Sequence, residues 1–169
     1  PTAGIVEEID GMVEEETKTL ESLGMDVDVL DVSTASFEAI ENRLTKNDVI
    51  FVGGGNTFFL LQELRRSGAD RVLLREIGKG KIYIGESAGS VIACPDIGMD
   101  SPDLAPDLTD HTALGLVDFY IVPHIGNQQM GKAAEKAVEE YSSRLNIKAI
   151  TDEQIILVEG DSVKVLKQE

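Results

Sequence analysis

Lys81-Ile82-Tyr83-Ile84-Gly85-Glu86-Ser87-Ala88-Gly89-Ser90-Val91-Ile92-Ala93 runs from an apolar, strand-like stretch through Gly-x-Ser-x-Gly into a helix-competent stretch. Small residues on either side of a serine let a strand turn sharply into a helix and lift the hydroxyl above the sheet edge. The pattern has meaning only in that strand-to-helix setting, and residues 81–93 supply it. A serine hydroxyl is a weak nucleophile at neutral pH, so the reading turns next to a base able to take the proton of Ser87.

The chain has two histidines, His111 and His124. His124 follows the strand-like run Val117-Asp118-Phe119-Tyr120-Ile121-Val122 and Pro123, so it stands at the carboxyl end of a strand, as Ser87 does. Groups at the carboxyl ends of neighbouring parallel strands can meet, which makes His124 the candidate base. His111 lies in the polar stretch Leu108-Thr109-Asp110-His111-Thr112 and is read as a packing or surface residue.

Outward from the elbow, short strands alternate with helices. Val49-Ile50-Phe51-Val52 is a fully apolar strand, and helical segments are expected around Phe37–Leu44, Phe58–Arg66 and Asp70–Ile77. Met25-Asp26-Val27-Asp28-Val29 alternates apolar with acidic residues and reads as a strand exposed on one face. Gly131–Ser143 reads as a helix with Ala134, Ala137, Val138 and Tyr141 inward, and the last strands are Ile147–Ile150, Gln154–Val158 and Ser162–Leu166. Strands separated by helices imply an α/β fold, a three-layer and mostly parallel sheet whose functional loops lie at the carboxyl ends of the strands. No internal repeat, low-complexity tract or linker interrupts residues 1–169, so a single domain is expected.

Gly53-Gly54-Gly55-Asn56-Thr57 follows the buried strand directly. A phosphate loop would need a Lys-Ser or Lys-Thr after its glycines, and none is present. An oxyanion hole fits better, built from a backbone N–H of this loop together with that of Ala88 after the nucleophile.

Composition narrows the function classes. Fifteen basic against 31 acidic residues give a net charge of −16, which argues against nucleic acid or an anionic membrane surface as partner. The N-terminal acids Glu7, Glu8, Asp10, Glu14, Glu15 and Glu16 interleave with Ile5, Ile9, Met12, Val13, Leu20 and Leu23 at helical spacing, and read as the solvated face of one amphipathic helix. No long apolar run or signal peptide is visible, and the lone Cys94 fits a reducing compartment, so a cytoplasmic location is expected. Two histidines and one cysteine make a poor zinc inventory; neither metal nor cofactor is expected, although aspartate-rich loops could hold calcium weakly.

Gly53-Gly54-Gly55-Asn56-Thr57, Gly85-Glu86-Ser87-Ala88-Gly89, Ala93-Cys94-Pro95, Pro123-His124 and Glu159-Gly160, in that order and at these intervals, resemble the peptidase E family of serine peptidases, which includes aspartyl dipeptidases and, more distantly, cyanophycinases. The resemblance covers nearly the whole chain and implies a flavodoxin-like sheet related to class I glutamine amidotransferase domains. It implies Ser87 as nucleophile and His124 as base, ranks Gly55 before Gly54 as the loop donor of the oxyanion hole, and matches Glu159 to the acid of a Ser-His-Glu triad. Asp100 resembles an active-site aspartate of the loop after the elbow helix, either the triad acid or a contact for the substrate's amino group; Asp96, Asp103 and Asp107 crowd the same loop. Pro1-Thr2-Ala3-Gly4 matches a loop that ordinarily follows a strand, so the first strand region of the family is expected to be absent.

The implied activity is hydrolysis of short peptides by a monomer or homodimer. Asp-X-specific members carry a Gly-Glu-Thr-Arg-like stretch after the histidine and an aromatic residue before the serine. Here those places hold Ile125-Gly126-Asn127-Gln128-Gln129-Met130-Gly131-Lys132 and Glu86, so specificity beyond Asp-X stays open. An esterase or amidase using the same triad, and a non-catalytic relative that keeps the pocket for binding, are the alternatives.

Overall fold

The computed structural model describes residues 1–7, 11–99 and 108–167. Its backbone packing divides the chain into two compact units, Pro1–Leu116 and Val117–Glu169.

The first unit opens with a 3₁₀ turn over Thr2–Glu7, followed by α1 (Met12–Ser22), α2 (Phe37–Lys46), β1 (Val49–Val52), α3 (Thr57–Ser67), α4 (Ala69–Gly78), β2 (Ile82–Gly85) and the short α5 (Ala88–Val91). The single N-terminal helix expected from the apolar spacing is instead two pieces, with Gly11 in the left-handed region (φ 83°) immediately ahead of α1. Met25–Val29 forms no strand. Alternation of apolar and acidic residues specifies a face, but a strand also needs a neighbouring row of backbone groups to pair with.

Local chemistry explains the boundaries that the sequence did fix. Ser36 accepts from the Ala39 N–H at the start of α2, and Asn56 accepts from the Phe59 N–H at the start of α3. Gly68, at φ 78°, ends α3 and starts α4. The helices bury Ile40, Phe58, Leu61, Val72 and Leu73 at 2% exposure or less. Each such side chain contributes roughly 1.5–3 kcal/mol of hydrophobic stabilisation.

One buried carboxylate is built into this packing. Glu76, 2% exposed, accepts from Arg75 Nε at 2.9 Å and Lys79 Nζ at 2.8 Å, with Lys81 Nζ at 3.7 Å. The hydrogen bonds from Lys79 and then Arg75 hold its carboxyl down at about 2, against the usual 4.5. A depressed acid stabilises the fold fully above its unfolded value and loses that contribution as pH falls through the folded one. Thermal melts should therefore show wild-type Tm dropping between pH 4.5 and 2 more steeply than that of Glu76→Gln, which starts lower at pH 7.

β1 and β2 pair in parallel with Val52 opposite Gly85. In the second unit, β3 (Tyr120–Val122) pairs in parallel with β4 (Ile147–Ala149), Val122 lying opposite Ala149, and α6 (Gly131–Tyr141) connects them. β5 (Gln154–Glu159) and β6 (Ser162–Lys167) form an antiparallel hairpin turned at Gly160-Asp161. The sequence pattern placed each of these elements within a few residues. The architecture is α/β with parallel strand pairs joined through helices.

Candidate active site

In the first unit, the parallel register of β1 and β2 sets the surroundings of Ser87. Val52 and Gly85 are partners, and two residues past each stand Gly54 and Ser87. A Cβ built on Gly54 would lie 3.4 Å from Ser87 Cβ and 3.9 Å from Ser87 Oγ, so the glycine loop faces the serine. Gly55 turns the other way. At φ 123° its virtual Cβ would fall 2.3 Å from the Ala3 carbonyl, and Asn56 N–H donates to that same oxygen at 2.8 Å. Of the two loop glycines, Gly54 is the one whose α-carbon faces Ser87, while its N–H donates to the Glu16 carboxylate.

Ser87 is held at φ 47°, ψ −111°, a conformation that L-residues rarely adopt and that costs on the order of 1–3 kcal/mol. The flanking glycines make the turn possible. A Cβ on Gly89 would lie 2.0 Å from Val52 O, and one on Gly85 would lie 2.5 Å from Gly89 O, so strand, turn and helix approach too closely for any side chain. The turn is tied by Glu86 N–H to Val52 O (2.9 Å), Gly89 N–H to Glu86 O (2.8 Å) and Tyr83 OH to Gly89 O (2.6 Å). Ala88 is the first residue of α5, where backbone N–H groups lie outside the intrahelical ladder and can serve another acceptor.

The same loop carries an acidic wall. The Glu16 carboxylate lies over Gly53, whose virtual Cβ would be 2.9 Å from both carboxyl oxygens. Burial raises its pKa above the ordinary value, and the neighbouring Glu86 raises it further.

In the second unit, the other parallel pair positions His124. Ile150 N–H donates to Val122 O and Ile125 N–H donates to Ile150 O, both at 3.0 Å, which extends the pairing past the strand ends. His124, at φ 70°, then stands beside the turn at Thr151-Asp152. His124 Nδ1 and Asp152 Oδ1 are 2.7 Å apart, and Asn127 Nδ2 donates to Asp152 Oδ2 at 2.7 Å. The hydrogen bonds from Asn127 and then His124 hold the Asp152 carboxyl below its ordinary value, so it is ionised at neutral pH. An ionised carboxylate on Nδ1 fixes the tautomer that leaves Nε2 free of a proton, which is the form of imidazole needed for a general base.

Sequence reasoning offered Glu159 and Asp100 as partners of His124 and did not name Asp152. Glu159 ends β5, 62% exposed at its side chain, with its carboxylate 3.6 Å from Lys164 Nζ. Asp100, with Asp103 and Asp107, lies outside the described residues. The signal for Asp152 was its place: Thr151-Asp152 comes directly after the strand that pairs with the one ending before His124. His111 packs edge-on against Phe58, with ring centroids 5.1 Å apart, as its bland reading implied. Cys94 is 1% exposed. Among the described residues no group of three or more His, Cys, Asp or Glu side chains could hold a metal ion, and no helix is long and apolar enough to cross a membrane.

The chain is similar to known peptidases. The sequence model described as peptidase family S51 matches residues 1–166. An uncharacterized peptidase of Listeria monocytogenes is 48% identical over 167 residues, covering 96% of this chain and 82% of its own length. Peptidase E of Salmonella typhimurium is 34% identical over 146 residues, which cover 83% of this chain and 61% of the relative. A solved Listeria monocytogenes structure described as peptidase E superposes with a TM-score of 0.93 at 46% identity, over 100% of this chain and 84% of the other. A peptidase from an acI-B1 Actinobacterium, 16% identical with a TM-score of 0.73, shares the fold. The chain belongs to peptidase family S51.

Proposed function

We propose that this chain is a serine peptidase of short peptides, with Ser87 as nucleophile, His124 as general base and acid, and Asp152 as the acid that orients His124. The observation that carries the reading is the Ser87 elbow, a strained, glycine-flanked serine at a strand end with a second glycine loop set against it. Membership of a peptidase family adds the reaction class, hydrolysis of a peptide bond.

In the proposed cycle His124 Nε2 takes the Ser87 proton as Oγ attacks the substrate carbonyl. The negative charge that develops on the carbonyl oxygen is met by the N–H of Ala88 together with an N–H of the glycine loop, Gly54 or Gly55; the Gly54 N–H would have to turn from the Glu16 carboxylate to serve it. His124 gives its proton to the leaving amine, whose departure leaves an acyl ester on Ser87. Water then attacks that ester, its proton going to His124 and back to Ser87 Oγ as the acid product leaves. Asp152 remains ionised throughout and stabilises the imidazolium while it exists.

For the substrate, charge favours peptides without an acidic first residue. Glu86 precedes the nucleophile, Glu16 lies over the glycine loop, and residues 125–132 hold no arginine to clamp a carboxylate. Steady-state assays on a matched set of Asp-X, Ala-X, Leu-X and Lys-X peptides, with simple esters alongside, test this reading. Expected is a higher kcat/KM on neutral and basic peptides than on Asp-X. A clear preference for Asp-X would overturn the specificity, and turnover of esters alone would make the protein an esterase.

A further inference from the structure

We propose that Asn127 is a positioning residue that holds the Asp152 carboxylate in the orientation His124 needs, an inference that rests on the triad reading above. Its amide can sit only one way. Asn127 Oδ1 accepts from the backbone N–H groups of Gln129 (2.8 Å) and Met130 (3.1 Å), and backbone N–H groups can only donate. The Nδ2 end is thereby turned to Asp152 Oδ2, at 2.7 Å.

Asn127 also grips the other partner. Its own N–H donates to His124 O at 3.0 Å, closing the turn in which His124 takes φ 70°, and its carbonyl accepts from Gly131 N–H at 3.0 Å, where α6 begins. One residue thus fixes the backbone that carries the imidazole and the far oxygen of the carboxylate that orients it. Asp152 needs such a hold because its side chain is 48% exposed. A terminal carboxylate torsion is broad, so an unheld Asp152 would turn between water and His124. With Oδ2 engaged by a charge-assisted hydrogen bond, Oδ1 is left directed at Nδ1.

A role in shaping the turn alone and a role in positioning Asp152 separate in two variants. Asn127→Asp keeps an oxygen acceptor for the Gln129 and Met130 N–H groups but sets a carboxylate, in place of a donor, against Asp152. Asn127→Ala removes both functions. The full chain would be examined by NMR for the downfield Nδ1 proton of His124 at acidic to neutral pH, with His111 as internal reference, and by kcat and KM on the best peptide of the panel.

Expected is a fall of about tenfold to a hundredfold in kcat, with KM within about twofold, in both variants. The downfield His124 signal should be lost or displaced in both while His111 is unmoved. If Asn127→Asp restores wild-type kcat and the wild-type His124 signal, Asn127 only shapes the turn and the proposal fails. The NMR readout needs no turnover, so it stands apart from the triad reading, whose own failure would show as a wild-type chain with no reactive serine.

Discussion

Ser87→Ala and His124→Ala are each expected to lower kcat on a peptide substrate by about 10³-fold or more, with the double variant scarcely worse than either single one. In the proposed mechanism, nucleophile and base act as one unit. Without the base, the hydroxyl keeps its proton, and without the hydroxyl there is nothing for the base to activate. The residual rate would come from binding and from the proposed oxyanion donors, which both variants retain. His111→Ala serves as the control, because His111 packs edge-on against Phe58 and has no part in the proposed chemistry. Single-turnover rates with folding checked by circular dichroism measure the effect. A loss in His111→Ala with none in His124→Ala would mean that the base had been misassigned.

The second large effect is expected at Asp152. Asp152→Asn preserves shape, but its amide can present Nδ2 to His124 Nδ1, which favours the tautomer with its proton on Nε2. That imidazole cannot accept from Ser87. A loss approaching about 10⁴-fold in kcat follows, with KM little changed, since the interaction strengthens only as imidazolium forms. Glu159→Gln, on the exposed hairpin beside Lys164, should stay within about twofold of wild type. If Glu159→Gln instead abolishes turnover while Asp152→Asn is active, Glu159 is the triad acid, as the sequence resemblance implied.

Much of the fold is legible in the residues because it is locally encoded. The apolar run Val49–Val52, the helical spacing of α2, α3, α4 and α6, and the hairpin turn at Gly160-Asp161 each follow from short-range pattern and punctuation. Ser87 is legible for the same reason, since strand, turn and helix of the elbow are contiguous. Asp152 is not, because its meeting with His124 depends on β3 pairing with β4 across a helix, and pairing is long-range information that periodicity does not contain. The alternation in Met25–Val29 misleads in the opposite direction, a correct face without a paired strand. Gly55 and Gly54 are equivalent as letters. Only the close approach of one to Ala3 and of the other to Ser87 tells them apart.

The central claim, a nucleophilic Ser87, is tested most directly by treating the folded chain at pH 8 with a small serine-reactive phosphonate and mapping the adduct by mass spectrometry. The expected result is one equivalent of label on Ser87, absent in Ser87→Ala and strongly slowed in His124→Ala. No adduct on folded wild-type protein, or an adduct that persists in Ser87→Ala, would contradict it.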